Sequence, residues 1–338
     1  MVPRAHRRAD RARTLTGANA LAIAARFGID VTGARTATLP GGYSNETVRV
    51  DAASGRFVVR RYGRTHVAAA EIAFEHAVAA HAAARMTEIA APLHDGEGRT
   101  IVDAPDGGVA AVFPFVDGET GRRDPATGRA AARVLARFHR AVRDVHVASG
   151  MRSIRFVGSL SALRERFVRF AADPLVGRAL DWNALIVATT AATARGAACA
   201  ASLPHVIVHG DPNPENVVTA RPGDVRGLID FDFAHETERV YDLGTLLDEF
   251  AREHDDAPLD LARIPELVTA YAAAAPLAPA ERDVIPEAML RRAASLVWLV
   301  VSRHGERVPG DIGGAPRYAA RVAEIAAAAA AIREAAHG

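Results

Sequence analysis

Apolar positions along the chain change period several times, and each change marks an element. Residues 14–35 set Leu21, Ile23, Phe27 and Ile29 at helical intervals ahead of a Gly33 break, which predicts a helix. From Thr38 to Tyr62 the pattern turns strand-like: Thr47-Val48-Arg49-Val50 and Phe57-Val58-Val59-Arg60-Arg61-Tyr62 predict two strands joined at Ala53-Ser54-Gly55. A helix is expected over residues 67–84, then two short strands around Gly96–Gly98 and a further strand from Val109 into Phe113-Pro114-Phe115. Beyond Pro125 helical spacing dominates, over 130–143, 159–170 and 182–201. One β-rich run interrupts it: Val206–Val208 stops at His209-Gly210-Asp211, and Pro212 and Pro214 keep the following residues out of strand and helix. Val217-Val218, a turn at Arg221-Pro222-Gly223-Asp224 and Gly227-Leu228-Ile229 then form a hairpin-like unit ending on Asp230. Helices over 246–252, 264–274, 280–303 and 317–336 complete the chain.

The hairpin brings Asp211, Asn216 and Asp230 near one another. Two carboxylates and one amide oxygen suit a hard divalent cation that keeps several waters and leans on substrate phosphates, as magnesium does. An Asp, then an Asn a few positions on, then a second Asp at a later strand end is also the order used in phosphoryl transfer.

Composition narrows the classes. A net charge of +1 over 338 residues gives no general electrostatic reason to expect nucleic acid as a partner. The single cysteine, Cys199, excludes an internal disulfide and any thiolate metal site, so a reducing, cytoplasmic setting is expected. No apolar run reaches bilayer length, so no membrane is expected as a partner. The basic stretch at residues 1–13 lacks the apolar core of a secretory signal and is expected to be a loosely attached arm. All 41 basic residues are arginine. Without lysine there is no Walker A phosphate loop, no Schiff base and no lysine general base.

His209-Gly210-Asp211 with Asn216, followed by Ile229-Asp230-Phe231 and Tyr241-Asp242-Leu243-Gly244, resembles the aminoglycoside phosphotransferase family of small-molecule kinases, which includes choline kinases and a class of homoserine kinases. The resemblance implies an α+β, protein-kinase-like two-lobe fold, with a small β-rich N-lobe and a larger helical C-lobe. It implies ATP and Mg2+ as cofactors, Asp211 as catalytic base, Asn216 and Asp230 as metal ligands, and His209 and Asp242 as structural support for the catalytic loop. Carried along the chain, it implies a nucleotide-binding group made of the loop residues Gly42, Ser44 and Asn45, a cation at Arg60 with Arg61 as competitor, and a bracing carboxylate at Glu75 with Glu71 as fallback. The segment with Phe113 and Phe115 matches the family's adenine-binding hinge. Family members often carry lysine where Arg60 stands; arginine offers a bidentate fork in place of a point charge. His139 occupies a position the family often fills with histidine, although a packing role is the simpler reading.

The expected domains are an arm and helix over 1–36, a nucleotide-binding N-lobe over 37–117 and a C-lobe over 118–338. The expected partner is a small-molecule alcohol, an amino alcohol such as homoserine or choline or an aminoglycoside, bound by a monomer or homodimer. Asp248, Glu249 and Arg303 are candidates for substrate contacts, with surface charge as the simpler reading of each. A nucleotide-binding pseudokinase is the alternative, and a protein kinase is disfavoured because no Ala-Pro-Glu segment follows Asp230.

Overall fold

The computed structural model describes residues 15–39, 45–63, 69–105, 107–145, 158–199 and 202–338. The expected basic arm and the loop residues Gly42 and Ser44 lie outside them. The chain divides into two compact units at the step from Val116 to Asp117.

The first unit is a five-stranded antiparallel sheet between two helices. Helix α1 (Gly17–Arg26) starts at Thr16, whose side chain accepts from Asn19 N. It is shorter than expected, because Gly28 N and Ile29 N fold back onto Ala25 O and Ala24 O and close the helix end. Only Arg35 of the expected helix enters the next element, an exposed edge strand, β1 (Arg35–Thr38). Strands β2 (Asn45–Ala52) and β3 (Gly55–Tyr62) form the expected hairpin, followed by helix α2 (Ala69–Ala83), β4 (Val102–Asp103) and β5 (Val109–Pro114). The sheet order is β1-β2-β3-β5-β4. Only one strand flanks Gly96–Gly98: Asp95 accepts from Glu97 N and Arg99 N and holds that segment as a turn.

Alternation sorts the side chains of β3. Val59 joins Val48, Val50, Ala110 and Val112 in a core with Ile23 and Phe27 of α1. Tyr62 goes to the opposite face, with Ala111 and Ile72 of α2. The sheet is thus apolar on both faces, and a basic residue in β3 must find a partner wherever its face leads.

The second unit is mostly helical. Its helices are α3 (Pro125–Ala141), α4 (Leu160–Ala171), α5 (Trp182–Cys199), α6 (Val240–Phe250), α7 (Arg263–Ala272), α8 (Pro279–Asp283), α9 (Ile285–Arg307) and α10 (Ala315–His337). The helix expected over 280–303 is broken in two, because Pro286 has no N–H to donate and opens α9 as a new first turn. All eleven residues of α6 are buried. Gly244 lets α6 approach α9: a Cβ there would lie 2.7 Å from the Ala288 Cβ.

Two small antiparallel sheets interrupt the helices. Strand β7 (Val217–Arg221) pairs with β8 (Asp224–Leu228) as the expected hairpin. Strand β6 (His205–Val208) pairs with β9 (His235–Glu238), a strand the apolar pattern did not reveal, because its residues His-Glu-Thr-Glu are polar or charged. Among the described residues no helix is long and apolar enough to cross a membrane.

Candidate functional site

In the first unit, Arg60 and Glu75 meet. Arg60 Nη1 donates to Glu75 Oε1 at 3.2 Å, with both side chains buried. The Arg60 guanidinium lies 5.1 Å from the centre of the Tyr62 ring. Tyr62 OH is 2.8 Å from His76 Nε2, and His76 Nδ1 is 2.7 Å from Thr100 Oγ1. Burial, the nearby Arg60 charge and His94 push the His76 imidazole down from 6.5 to about 4. His76 is therefore neutral at physiological pH.

Arg61 points the other way, as alternation requires, and binds Glu46 Oε2 at 2.9 Å; the same carboxylate accepts from Leu15 N. Glu71 lies one turn before Glu75 on α2 and is only half-buried. Asn45 Oδ1 accepts from Gly63 N at 3.3 Å, tying the start of β2 to the end of β3. Phe113 is half-buried and packs edge-on against His76, with ring centroids 5.5 Å apart. Phe115 carries the Arg49 and Arg56 guanidinium groups over its ring at 5.3 and 5.6 Å.

In the second unit, the segment after β6 is held from behind by Asp242, in the first turn of α6. Asp242 Oδ2 accepts from His209 N at 2.7 Å and its Oδ1 from Gly210 N at 2.8 Å. Gly210 has φ +86, and a Cβ there would come within 2.1 Å of Phe233 O, so no other residue fits. His139 of α3 adds a third bond, Nε2 to Asp242 Oδ2 at 3.0 Å, and its Nδ1 lies 2.6 Å from Tyr271 OH. His139 is thus a packing residue with two hydrogen bonds. Burial by itself would raise the Asp242 carboxyl; the His139 hydrogen bond, the His139 and His209 imidazoles and the Gly210 N–H outweigh it and hold the group below its ordinary range.

Two of the expected trio, Asp211 and Asn216, belong to a closed circuit of hydrogen bonds with His209 and Ile229. His209 Nε2 donates to Ile229 O at 2.9 Å, and Ile229 N to Asn216 O at 2.9 Å. Asn216 Nδ2 donates to Asp211 O at 2.9 Å, and Asp211 N returns to His209 Nδ1 at 3.2 Å. This pattern makes Nε2 the protonated nitrogen of a neutral His209. A single 3-10 turn, Pro214–Asn216, carries Asn216 back to the sheet, and Asn213 caps it by accepting from Glu215 N and Asn216 N. Asp230 follows Ile229 directly. It is the only non-glycine residue with positive φ among the described residues, at φ +67, and its side chain accepts from Asp232 N. Asp tolerates this left-handed geometry better than most side chains, and such a conformation at a strand end is a mark of functional sites.

The donor set suits a hydrated divalent ion. Asn216 spends its Nδ2 on the circuit, which leaves Oδ1 as the atom that could bind a cation, and Asp230 could add a carboxylate. Among the described residues no three-membered cluster of acids, histidines or cysteines forms a closed metal cage, and an ion that completes its shell from water and phosphate does not need one.

Two features escaped the sequence. Arg292, from α9, is buried and forms an ion pair with Asp211 Oδ1. Asn213 Nδ2 donates to the same oxygen at 2.9 Å. Burial pushes the Asp211 carboxyl above its ordinary range, with the Arg292 charge and the Asn213 bond opposing it. The sequence signal is an Arg-Arg pair within the largely apolar stretch 288–301 of that helix. Asp248 and Glu249 are also not surface charges: both are buried in α6, where Arg252 and Arg321 hold Asp248, and Arg123 and Arg321 hold Glu249. A fully buried helix cannot leave a carboxylate without a partner. Arg303 is half-buried on α9.

Residues 35–277 match the family model described as the phosphotransferase enzyme family, well over half of the chain. The chain belongs to that family. It is a small-molecule kinase, and the expected protein-kinase-like α+β fold is the fold of its structural neighbours. A homoserine kinase of Rhodopseudomonas palustris (strain TIE-1) is 27% identical over 260 residues, covering 77% of this chain and 76% of its own. Among solved structures, a microcompartment-associated aminopropanol kinase superposes with a TM-score of 0.70 at 18% identity, over 93% of this chain and 97% of its own. An amicoumacin kinase, solved with AMP-PNP and Ca2+, gives 0.63 at 13% identity over 88% of each chain. At such identities the superpositions speak for the fold alone.

Proposed function

We propose that this kinase transfers the γ-phosphoryl group of ATP to the hydroxyl of a small amino alcohol, with Asp211 as catalytic base. The acceptor oxygen attacks the γ-phosphorus, the bond to the β,γ-bridging oxygen breaks, ADP departs and the acceptor proton passes to the Asp211 carboxylate. Asn216 and Asp230 would hold magnesium, which neutralises charge on the phosphates. In the other unit, Arg60, braced by Glu75, supplies the cation for the nucleotide, together with Asn45 and the loop that precedes it, while Phe113 and Phe115 offer apolar surface for the base.

The observation that carries this reading is the closed circuit through His209, Ile229, Asn216 and Asp211. It holds the backbone of Asp211 and Asn216 and that of Ile229, the residue before Asp230, and fixed charge is what phosphoryl transfer needs. The relatives named homoserine kinase and the neighbour named aminopropanol kinase support an amino alcohol as acceptor. The single free cysteine fits a cytoplasmic enzyme.

The test is coupled ADP release by the full chain with ATP and Mg2+ across homoserine, choline, ethanolamine, sugars and aminoglycosides. Acceptor-dependent release with an amino alcohol is expected, and above all with homoserine. Release that depends on an aminoglycoside alone would overturn the acceptor class. Nucleotide binding with no release for any alcohol would overturn the reaction and leave a pseudokinase.

A further inference from the structure

The circuit fixes the Asp211 backbone but leaves its carboxylate free to rotate. What stops it is a pair of donors on one oxygen. Asn213 Nδ2 donates to Oδ1 at 2.9 Å, and the Arg292 guanidinium pairs with that same Oδ1. No hydrogen bond from the described residues reaches Oδ2. The two donors have different origins: Asn213 belongs to the loop itself, while Arg292 is 81 residues away in sequence and comes from α9.

Helix α9 is fastened to this part of the unit by contacts of its own. Arg291 donates to Glu238 Oε2 at 3.1 Å, and its guanidinium lies 4.7 Å from the centre of the Tyr241 ring. The close approach at Gly244 and Ala288 locks α9 against α6, the helix that carries Asp242. Arg292 is therefore placed by the helical frame and not by the loop. It is 6% exposed, its Nε has no hydrogen-bond partner, and its bonding partner among the described residues is Asp211. Taking a guanidinium out of water costs several kcal/mol, on the order of what a well-made ion pair returns, so folding alone gains little from such a pair. Function gives it a reason.

We propose that Arg292 is a positioning residue of the transfer reaction: by holding Asp211 Oδ1 against α9, together with Asn213, it presents Oδ2 to the acceptor hydroxyl. Two donors on one oxygen set the carboxylate plane, and a general base acts only from within hydrogen-bond reach of the proton it takes. The proposal rests on Asp211 being the base.

The experiment is a double-mutant cycle on the full chain, with Arg292→Met and Asp211→Asn alone and combined, and Arg292→Lys and Asn213→Ala beside them. Turnover, the KM values for acceptor and ATP, and thermal unfolding are measured for each. Arg292→Met is expected to lower kcat about 100-fold, the cost of a misplaced catalytic group, while the ATP KM stays within about threefold. Arg292→Lys, which keeps a cation but loses the fork, is expected to recover kcat to within about tenfold of the native chain. In the Asp211→Asn background, Arg292→Met is expected to cost less than about threefold, because a residue acting through Asp211 has nothing left to position.

Native kcat in Arg292→Met would overturn the proposal, as would the same fractional loss in both backgrounds, which marks a purely structural role. If Arg292→Met does not fold, Arg292→Lys and Asn213→Ala decide: each is expected to lower kcat by about threefold to tenfold with a native-like unfolding midpoint, and native kcat in both overturns the proposal. Full activity in Asp211→Asn would instead remove the base assignment itself, and that result needs no Arg292 variant to be seen.

Discussion

Each unit of this kinase buries one arginine–carboxylate pair of interest, and the two pairs are built in opposite ways. Arg60 and Glu75 are 15 residues apart, on a strand and on the next helix. Arg292 and Asp211 are 81 residues apart and meet only because α9 docks beside the loop that follows β6. The first pair follows from local rules: alternation along β3 sends Arg60 to the α2 face, and Glu75 waits there. The second depends on how a long helix sits against α6, which local rules do not specify. Cations placed locally can be read from a sequence; cations placed by tertiary docking need the fold.

The largest effect bearing on this comparison comes from the loop side. Asp230→Asn keeps a side chain that tolerates the left-handed backbone and still accepts from Asp232 N, and removes only the charge. Turnover at millimolar Mg2+ is expected to fall by about 1000-fold, the upper range for losing one preorganised electrostatic contact, with partial recovery as Mg2+ is raised. Steady-state kinetics over a Mg2+ series measure this. Native turnover with an unchanged Mg2+ requirement would take Asp230 out of the metal role and confine the loop's chemistry to Asp211.

The next effect sharpens the sheet side. His76 is held neutral, with its imidazole pushed from 6.5 down to about 4. Unfolded chains take up that proton first, so the stability linked to His76 is complete above pH 6.5, falls as the pH drops below it and is fully lost below about 4. Roughly 3 kcal/mol is at stake. Denaturant unfolding between pH 7.5 and 4.5 is expected to show the decline, and a His76→Gln variant, which cannot titrate, to show less of it. Parallel declines in both proteins would mean that the acid sensitivity arises elsewhere.

A smaller effect asks whether alternation assigned the right arginine. Arg60→Ala is expected to lower kcat/KM for ATP by about 10- to 100-fold, the worth of a charge-assisted contact, mostly through KM. Arg61→Ala, which releases Glu46 instead, is expected to leave kinetics within about twofold and to cost some stability. The reverse ranking would exchange the roles of the two residues.

These contrasts also mark what could be read in advance. The β2–β3 hairpin, the β7–β8 hairpin and the helical second unit follow from periodicity and turn residues, as does the separation of Arg60 from Arg61. The His-Gly-Asp segment announced itself through residue types at fixed spacing. Strand β9 did not, because four polar residues that pair at a sheet edge show no apolar alternation. Helix α1 is shorter than the apolar pattern predicts, since Phe27 and Ile29 continue that pattern while the backbone has already turned back on Ala24. Asp248 and Glu249 read as surface charges because, apart from Arg252 one turn beyond Asp248, the arginines that neutralise them arrive from distant elements, Arg123 ahead of α3 and Arg321 in α10. Arg292 was hidden for the same reason.

The proposed reaction turns on the carboxylate of Asp211, and the direct measurement is the turnover of Asp211→Asn set beside its affinity for ATP, with the acceptor that supports the fastest ADP release. Asparagine keeps the volume and a hydrogen-bonding side chain, so the circuit and the ATP affinity are expected to survive while kcat drops by about 100-fold or more. An Asp211→Asn enzyme that turns over at the native rate would contradict the account.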